Sequence, residues 1–200
     1  MELNNEYLNS FIKDLHLQDD IKLSDIPDLD LYMDQVITLF DDKLGNLKRN
    51  EEDKILTKTM INNYTKAKIL IPPIKKKYSK NHIILLILIY YLKQNLSIND
   101  INLLFKDVIK DLSDCENATL NLPKIYEVFL NIKKETSTQF LNNINDKFQF
   151  IEKKTKNLDN NNTDLIEKLL QVLCIINEAN NYKRLAENMI DNLFSNNNEK

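Results

Sequence analysis

A single glycine, Gly45, and four prolines in 200 residues leave little from which to build a sheet protein. Such a fold needs turn residues about every 8–12 positions. The expected fold is therefore all-α. The two cysteines, Cys115 and Cys174, lie far apart, with no second cysteine or histidine at ligand spacing. They read as isolated thiols rather than a metal site. The two histidines, His16 and His82, are equally isolated. His82 falls in the first turn of a buried helix, so its role is read as structural. No glycine-rich phosphate loop and no HExxH pattern occurs. The carboxylate pairs Asp41-Asp42 and Glu51-Glu52 lie on surface-like segments, without apolar walls to perturb them. The sequence therefore predicts no catalytic site, no metal and no cofactor. The longest apolar run, Ile83 to Leu92, has ten residues, and a bilayer span needs about twenty. The opening MELNNEYLNSF carries acids where a secretory signal would carry lysines. These absences predict a cytoplasmic protein with no membrane contact.

What is present is helical periodicity. Hydrophobic residues make up 42% of the chain, enough for a real core. Amphipathic patterns predict helices over 6–17, 29–44, 56–68, 79–94, 97–112, 123–155 and 163–194. Pro27 is placed to open the second of these, which buries Leu31, Val36, Leu39, Phe40 and Leu44. Gly45 is placed to close it as a left-handed cap. Ser79 can cap the fourth, which is apolar on nearly every side and so belongs at the centre of a bundle. Ser97-Ile98-Asn99-Asp100 reads as a capping box, and Pro123 suits a first helical turn. In the last helix Leu165, Leu169, Val172, Ile176, Ala179, Ala186, Ile190 and Leu193 follow a coiled-coil-like spacing. That seam serves either an intramolecular hairpin or a dimer. The expected organisation is an N-terminal helix and connector (1–28), a DNA-binding domain (29–113) and a helical dimerisation or regulatory region (114–200).

Charge is segregated. Residues 54–99 hold nine lysines and no acid, a net +9 against −12 for the remainder. Overall net charge, −3, conceals this. Such a surface suits a polyanion, because each phosphate contact releases condensed counterions. On a helix over 56–68, Met60, Ile61, Tyr64 and Ala67 share one side at 100° per residue. The opposite arc carries Lys58, Thr59, Asn62, Asn63 and Lys66, all donors suited to phosphates or base edges. The connector after it, with Pro72-Pro73, is expected to hold Lys75, Lys76 and Lys77 out as a stiff cationic arm, backed by Lys80. Tyr78 is expected to pack that arm onto the domain, with its hydroxyl within reach of phosphate.

The stretch TKTMINNYTKAKILIPPIKKKYS, followed by HIILLILIYYLKQNLSINDINLLF, resembles the MerR-like winged helix-turn-helix regulators. In that resemblance Tyr64 takes the second of a tyrosine pair, Ile69-Leu70 a leucine pair and Pro72-Pro73 the prolines. Lys76 takes the wing's arginine position, Tyr78 its tyrosine, and Ser97, Asp100 and Ile101 a later helix start. Lys68 stands at the position usually held by glycine. DLYMDQV and KRNEEDKILTKTMINNYTKAK are more specifically similar to the bacterial family called domain of unknown function 1836, which is thought to share that core. The resemblance implies a transcriptional regulator, typically a homodimer; together with the basic surface read above, the expectation is binding to double-stranded DNA through Lys58, Thr59, Asn62, Asn63, Lys66, Lys75, Lys76, Lys77, Tyr78 and Lys80. It supplies no effector, operator or target gene. Two other readings of the basic surface are a protein-interaction adaptor meeting an acidic partner, and peripheral attachment to anionic lipid.

Overall fold

The computed structural model describes residues 11–114, 118–156 and 162–195. Along the chain these form β1 (Leu31–Tyr32), α1 (Met33–Leu44), α2 (Lys58–Lys66), β2 (Lys77–Tyr78), α3 (Lys80–Lys93), α4 (Ile98–Ser113), α5 (Leu122–Thr155) and α6 (Thr163–Leu193). Short 3₁₀ turns lie at Leu23–Asp25 and Gly45–Leu47. The molecule is mostly helical, as the shortage of turn residues requires. Among the described residues no helix is long and apolar enough to cross a membrane.

Two compact units partition the chain. One comprises residues 18–130 with 187–200, the other 1–17 with 131–186. The connector expected to stand outside the DNA-binding domain instead enters the first unit's core. Ile21 and Ile26 are buried there. The Tyr126 hydroxyl donates to the Ile21 carbonyl at 2.7 Å, and the Tyr91 hydroxyl donates to Asp20 at 2.5 Å. Burial pushes both phenols well above the ordinary tyrosine range, so both stay protonated donors.

At the centre of this unit lies α3. Every residue from His82 to Ile87, and Ile89, is buried. Fully burying each aliphatic side chain contributes about 1.5–3 kcal/mol. The helix is therefore the main hydrophobic anchor of the fold. Around it pack Val36, Phe40 and Leu44 of α1, Ile61 and Tyr64 of α2, and Ile101 and Phe105 of α4. α4 opens on the expected box: Ser97 Oγ accepts from the Asp100 N–H at 3.2 Å, and Asp100 accepts from the Ser97 N–H at 3.0 Å.

Two local expectations fail and a third element ends earlier than expected. Gly45 has φ −56° and ψ −34°, ordinary right-handed geometry that leads into a 3₁₀ turn. A β-carbon added there meets nothing within 4 Å, so glycine is not required at that position. Pro27 does not open a helix, because the chain runs on through β1 and α1 begins only at Met33. Of the first expected helix, Phe11–Lys13 are helical and His16 turns the chain with φ 48°. Residues 6–10 lie outside the described residues, as do 157–161 of the asparagine-rich connector.

His82 fastens the start of α3. Its Nδ1 accepts the Ser79 N–H at 3.1 Å, and its Nε2 lies 3.2 Å from the Pro72 carbonyl, which accepts from it. The Tyr78 ring packs edge-on against the imidazole. Burial lowers the His82 pKa from 6.5, partly opposed by the Pro72 hydrogen bond and the Asp30 charge. The unfolded chain thus gains this proton at a higher pH than the folded chain does. Between the two values the unfolded state binds more protons, so stability falls as pH falls below 6.5 and is insensitive to this group above it. Denaturant midpoints measured from pH 7.5 to 5.5 should drop in the wild type. The drop should be shallower in His82→Gln, whose amide supplies both an acceptor and a donor.

In the second unit, residues 131–155 of α5 and 163–186 of α6 lie against each other. Lys147 pairs with Glu178 between them, and Ile144, Ile151 and Gln171 are buried. The covered side of α6 carries Ile166, Leu170, Gln171, Cys174 and Glu178. The sequence-predicted seam is a different side. Leu165, Leu169, Val172 and Ile176 are 66%, 56%, 58% and 53% exposed. The intramolecular packing therefore leaves the part of that seam from Leu165 to Ile176 open, whereas Ile190, further along the seam and in the first unit, is buried.

Candidate nucleic-acid interface

Thr57 starts α2, its hydroxyl accepting the Met60 N–H at 3.1 Å. Ile61 and Tyr64 are buried and Met60 and Ala67 half-buried, which fixes the rotation of the helix about its axis. Lys58, Thr59, Asn62, Asn63 and Lys66 consequently all face outward and exposed. The short helix is finished firmly. Lys68 takes a left-handed conformation, φ 59°. Its N–H donates to the Thr65 carbonyl and the Ile69 N–H to the Tyr64 carbonyl, both at 3.1 Å. This paired arrangement normally calls for glycine. From α4, Asn102 Nδ2 donates to the Ala67 carbonyl at 2.8 Å. It satisfies one of the carbonyls a helix end leaves open.

Beyond Pro72-Pro73 the chain makes a two-residue hairpin rather than a straight arm. Ile74 and Lys77 exchange both backbone hydrogen bonds, at 2.9 and 3.2 Å. Lys75 and Lys76 between them have φ 51° and 65°. Positive φ at both central positions is a type I′ turn, a conformation that favours Asn-Gly. Lysines at those places cost about 1–2 kcal/mol each in backbone strain. The turn is held at its base by β2, which pairs antiparallel with β1 through Leu31–Tyr78 and Tyr32–Lys77.

The two elements meet. Asn62 and Lys66 of α2 and Lys76 of the turn line one open cleft of about 630 Å³, together with Tyr32, Asp34, Pro73 and Tyr78. Among the described residues, Lys66, Lys75 and Lys76 pair with no acid.

Other expected contacts are already engaged. Lys58 pairs with Asp34 at 2.6 Å, although both side chains are well exposed, at 63% and 74%. A pair so open to solvent is worth about 0–1 kcal/mol, and a phosphate can replace the carboxylate. Lys80 pairs with Asp28 at 3.2 Å. Lys77 Nζ lies over the Tyr32 ring, 5.3 Å from its centroid. Tyr78 is only 2% exposed, and burial raises its pKa. It supports the cleft as a packing residue, so the expectation that its hydroxyl reaches phosphate is withdrawn. Sequence reasoning missed Tyr32, Asp34 and Asn102. Their contacts join segments 24 to 45 residues apart and leave no local periodicity. Among the described residues, no cluster of three or more metal-ligating side chains occurs.

A family model described as Domain of unknown function (DUF1836) matches residues 21–129. That span begins at the buried Ile21 and takes in the cleft, α4 and the first turns of α5. No curated protein and no solved structure matches the chain.

Proposed function

The chain belongs to the DUF1836 family, and we propose that it is a sequence-specific transcriptional repressor that reads duplex DNA through a MerR-like winged helix-turn-helix and acts as a homodimer. α2 is the recognition helix of this reading, and the Ile74–Lys77 hairpin with its β1 partner is a minimal wing. The observation that carries it is the shared cleft of Asn62, Lys66 and Lys76. A helix presenting amides and cations, flanked by a strained cationic turn, matches a major groove and the phosphates beside it. The exposed seam of α6 supports the two-fold assembly. An adaptor that met an acidic protein would not require amides in that arc.

Asn62 offers an amide for bidentate pairing with adenine, so Asn62→Ala should relax preference at one base pair of each half-site. The expected cost is about 1–3 kcal/mol per half-site on the preferred sequence and little on random duplex. Competition binding with a panel of single-base operator variants checks this. Equal losses on every sequence would remove Asn62 from base readout.

A further inference from the structure

On the inner side of α2, away from the cleft, lies a smaller cavity of about 190 Å³. Lys54 and Lys93 stand at it, with the phenols of Tyr64 and Tyr90 and an apolar floor that includes Leu56 and Leu86. No carboxylate lines it. Lys93 Nζ sits 5.7 Å from the centroid of the Tyr64 ring. Among the described residues, Lys54 and Lys93 pair with no acid, and neither phenol hydroxyl has a hydrogen-bond partner. Two cations and two phenols with unpartnered hydroxyls therefore line a space that Leu56 and Leu86 also line.

We infer that this cavity is a binding site for a small organic acid, with its carboxylate between Lys54 and Lys93 and its apolar body on Leu56 and Leu86. The volume equals roughly six water molecules at about 30 Å³ each. It admits a molecule of benzoate size and is too small for a nucleotide. An inorganic dianion fits the cations but not the floor, since burying a strongly hydrated charge against hydrocarbon is costly. A carboxylate on an apolar body keeps its charge at the open lysine end and covers the floor. The site stands independently of the DNA-binding reading. Tyr64 belongs to both the cavity and α2, so on that reading an occupant acts directly behind the recognition helix.

The test is an NMR titration of the full chain with benzoate, and separately with inorganic phosphate, in the absence of DNA. Saturable shifts are expected with benzoate at the Leu56 and Leu86 methyls and the Tyr64 amide. Lys54→Gln and Lys93→Gln should each weaken binding by up to about fivefold, the range of a solvent-exposed charge pair. The double variant should weaken it further. Both lysines are exposed, so neither change threatens the fold. Linear, unsaturated shifts overturn the proposal, as does benzoate binding that survives the double substitution. Phosphate saturating the same resonances as tightly as benzoate also overturns it, because the apolar floor would then contribute nothing. DNA plays no part in these measurements, so their failure would leave the function proposed for the opposite face of α2 standing.

Discussion

Replacing Lys75-Lys76 by Asn-Gly should make the protein more stable and a much poorer DNA binder. The stability gain comes from the backbone. Both positions have positive φ, where lysine costs about 1–2 kcal/mol each and Asn-Gly is the favoured pair. Unfolding midpoints should rise by an amount equivalent to about 1–3 kcal/mol, less the entropy that glycine restores to the unfolded chain. The binding loss comes from charge. Each phosphate contact contributes a salt slope of about 0.9, equivalent to about fivefold in affinity at ~0.15 M salt. Two lost contacts per protomer therefore cost about 30-fold. A two-fold complex carries the turn twice, so about three orders of magnitude should be lost and the slope should flatten by about 3.6 units. Opposite signs for stability and binding distinguish this from general damage. A variant equally tight on DNA would show that the turn lysines touch no phosphate.

On the proposed reading, charging the open seam of α6 should weaken DNA binding by a different route. Leu169→Lys with Val172→Lys places two like charges where an isologous partner helix would pack. Both native side chains are more than half exposed, so the single chain loses little on the substitution. Sedimentation should find a dimer in the wild type and a monomer in the variant. The second half-site then no longer benefits from its tether. Avidity of that kind is worth about 10²–10⁴ in overall affinity, so operator binding should fall by that factor while half-site binding is unchanged. A variant that remains dimeric would place the dimer contact elsewhere.

How much of this was legible in the sequence depended on whether the cause was local. α3 could be read from its nearly uninterrupted apolar stretch after Ser79, and α4 from the Ser97-Asp100 box, because each signal and its structure occupy the same few residues. The outward arc of α2 was legible for the same reason. Ile61 and Tyr64 set the rotation of the helix, and the exposure of Lys58, Asn62 and Lys66 follows. The hairpin was not legible. Lysines do not favour the left-handed conformation, and the turn is held by pairing with Leu31 and Tyr32, more than 40 residues earlier. Gly45 misled in the other direction: its conformational freedom goes unused in a right-handed turn. The seam of α6 was legible as an apolar stripe but not as an open one. Periodicity places side chains on a common face without saying what covers it.

The central claim is that the exposed edge of α2 and the lysine turn together read duplex DNA. Selection of bound sequences by the full chain from a pool of random duplex DNA tests it most directly. The account predicts enrichment of a two-fold motif whose half-sites repeat one helical turn apart, about 10–10.5 base pairs centre to centre, or a multiple of that. A pool that emerges from successive rounds with no enriched sequence would contradict it.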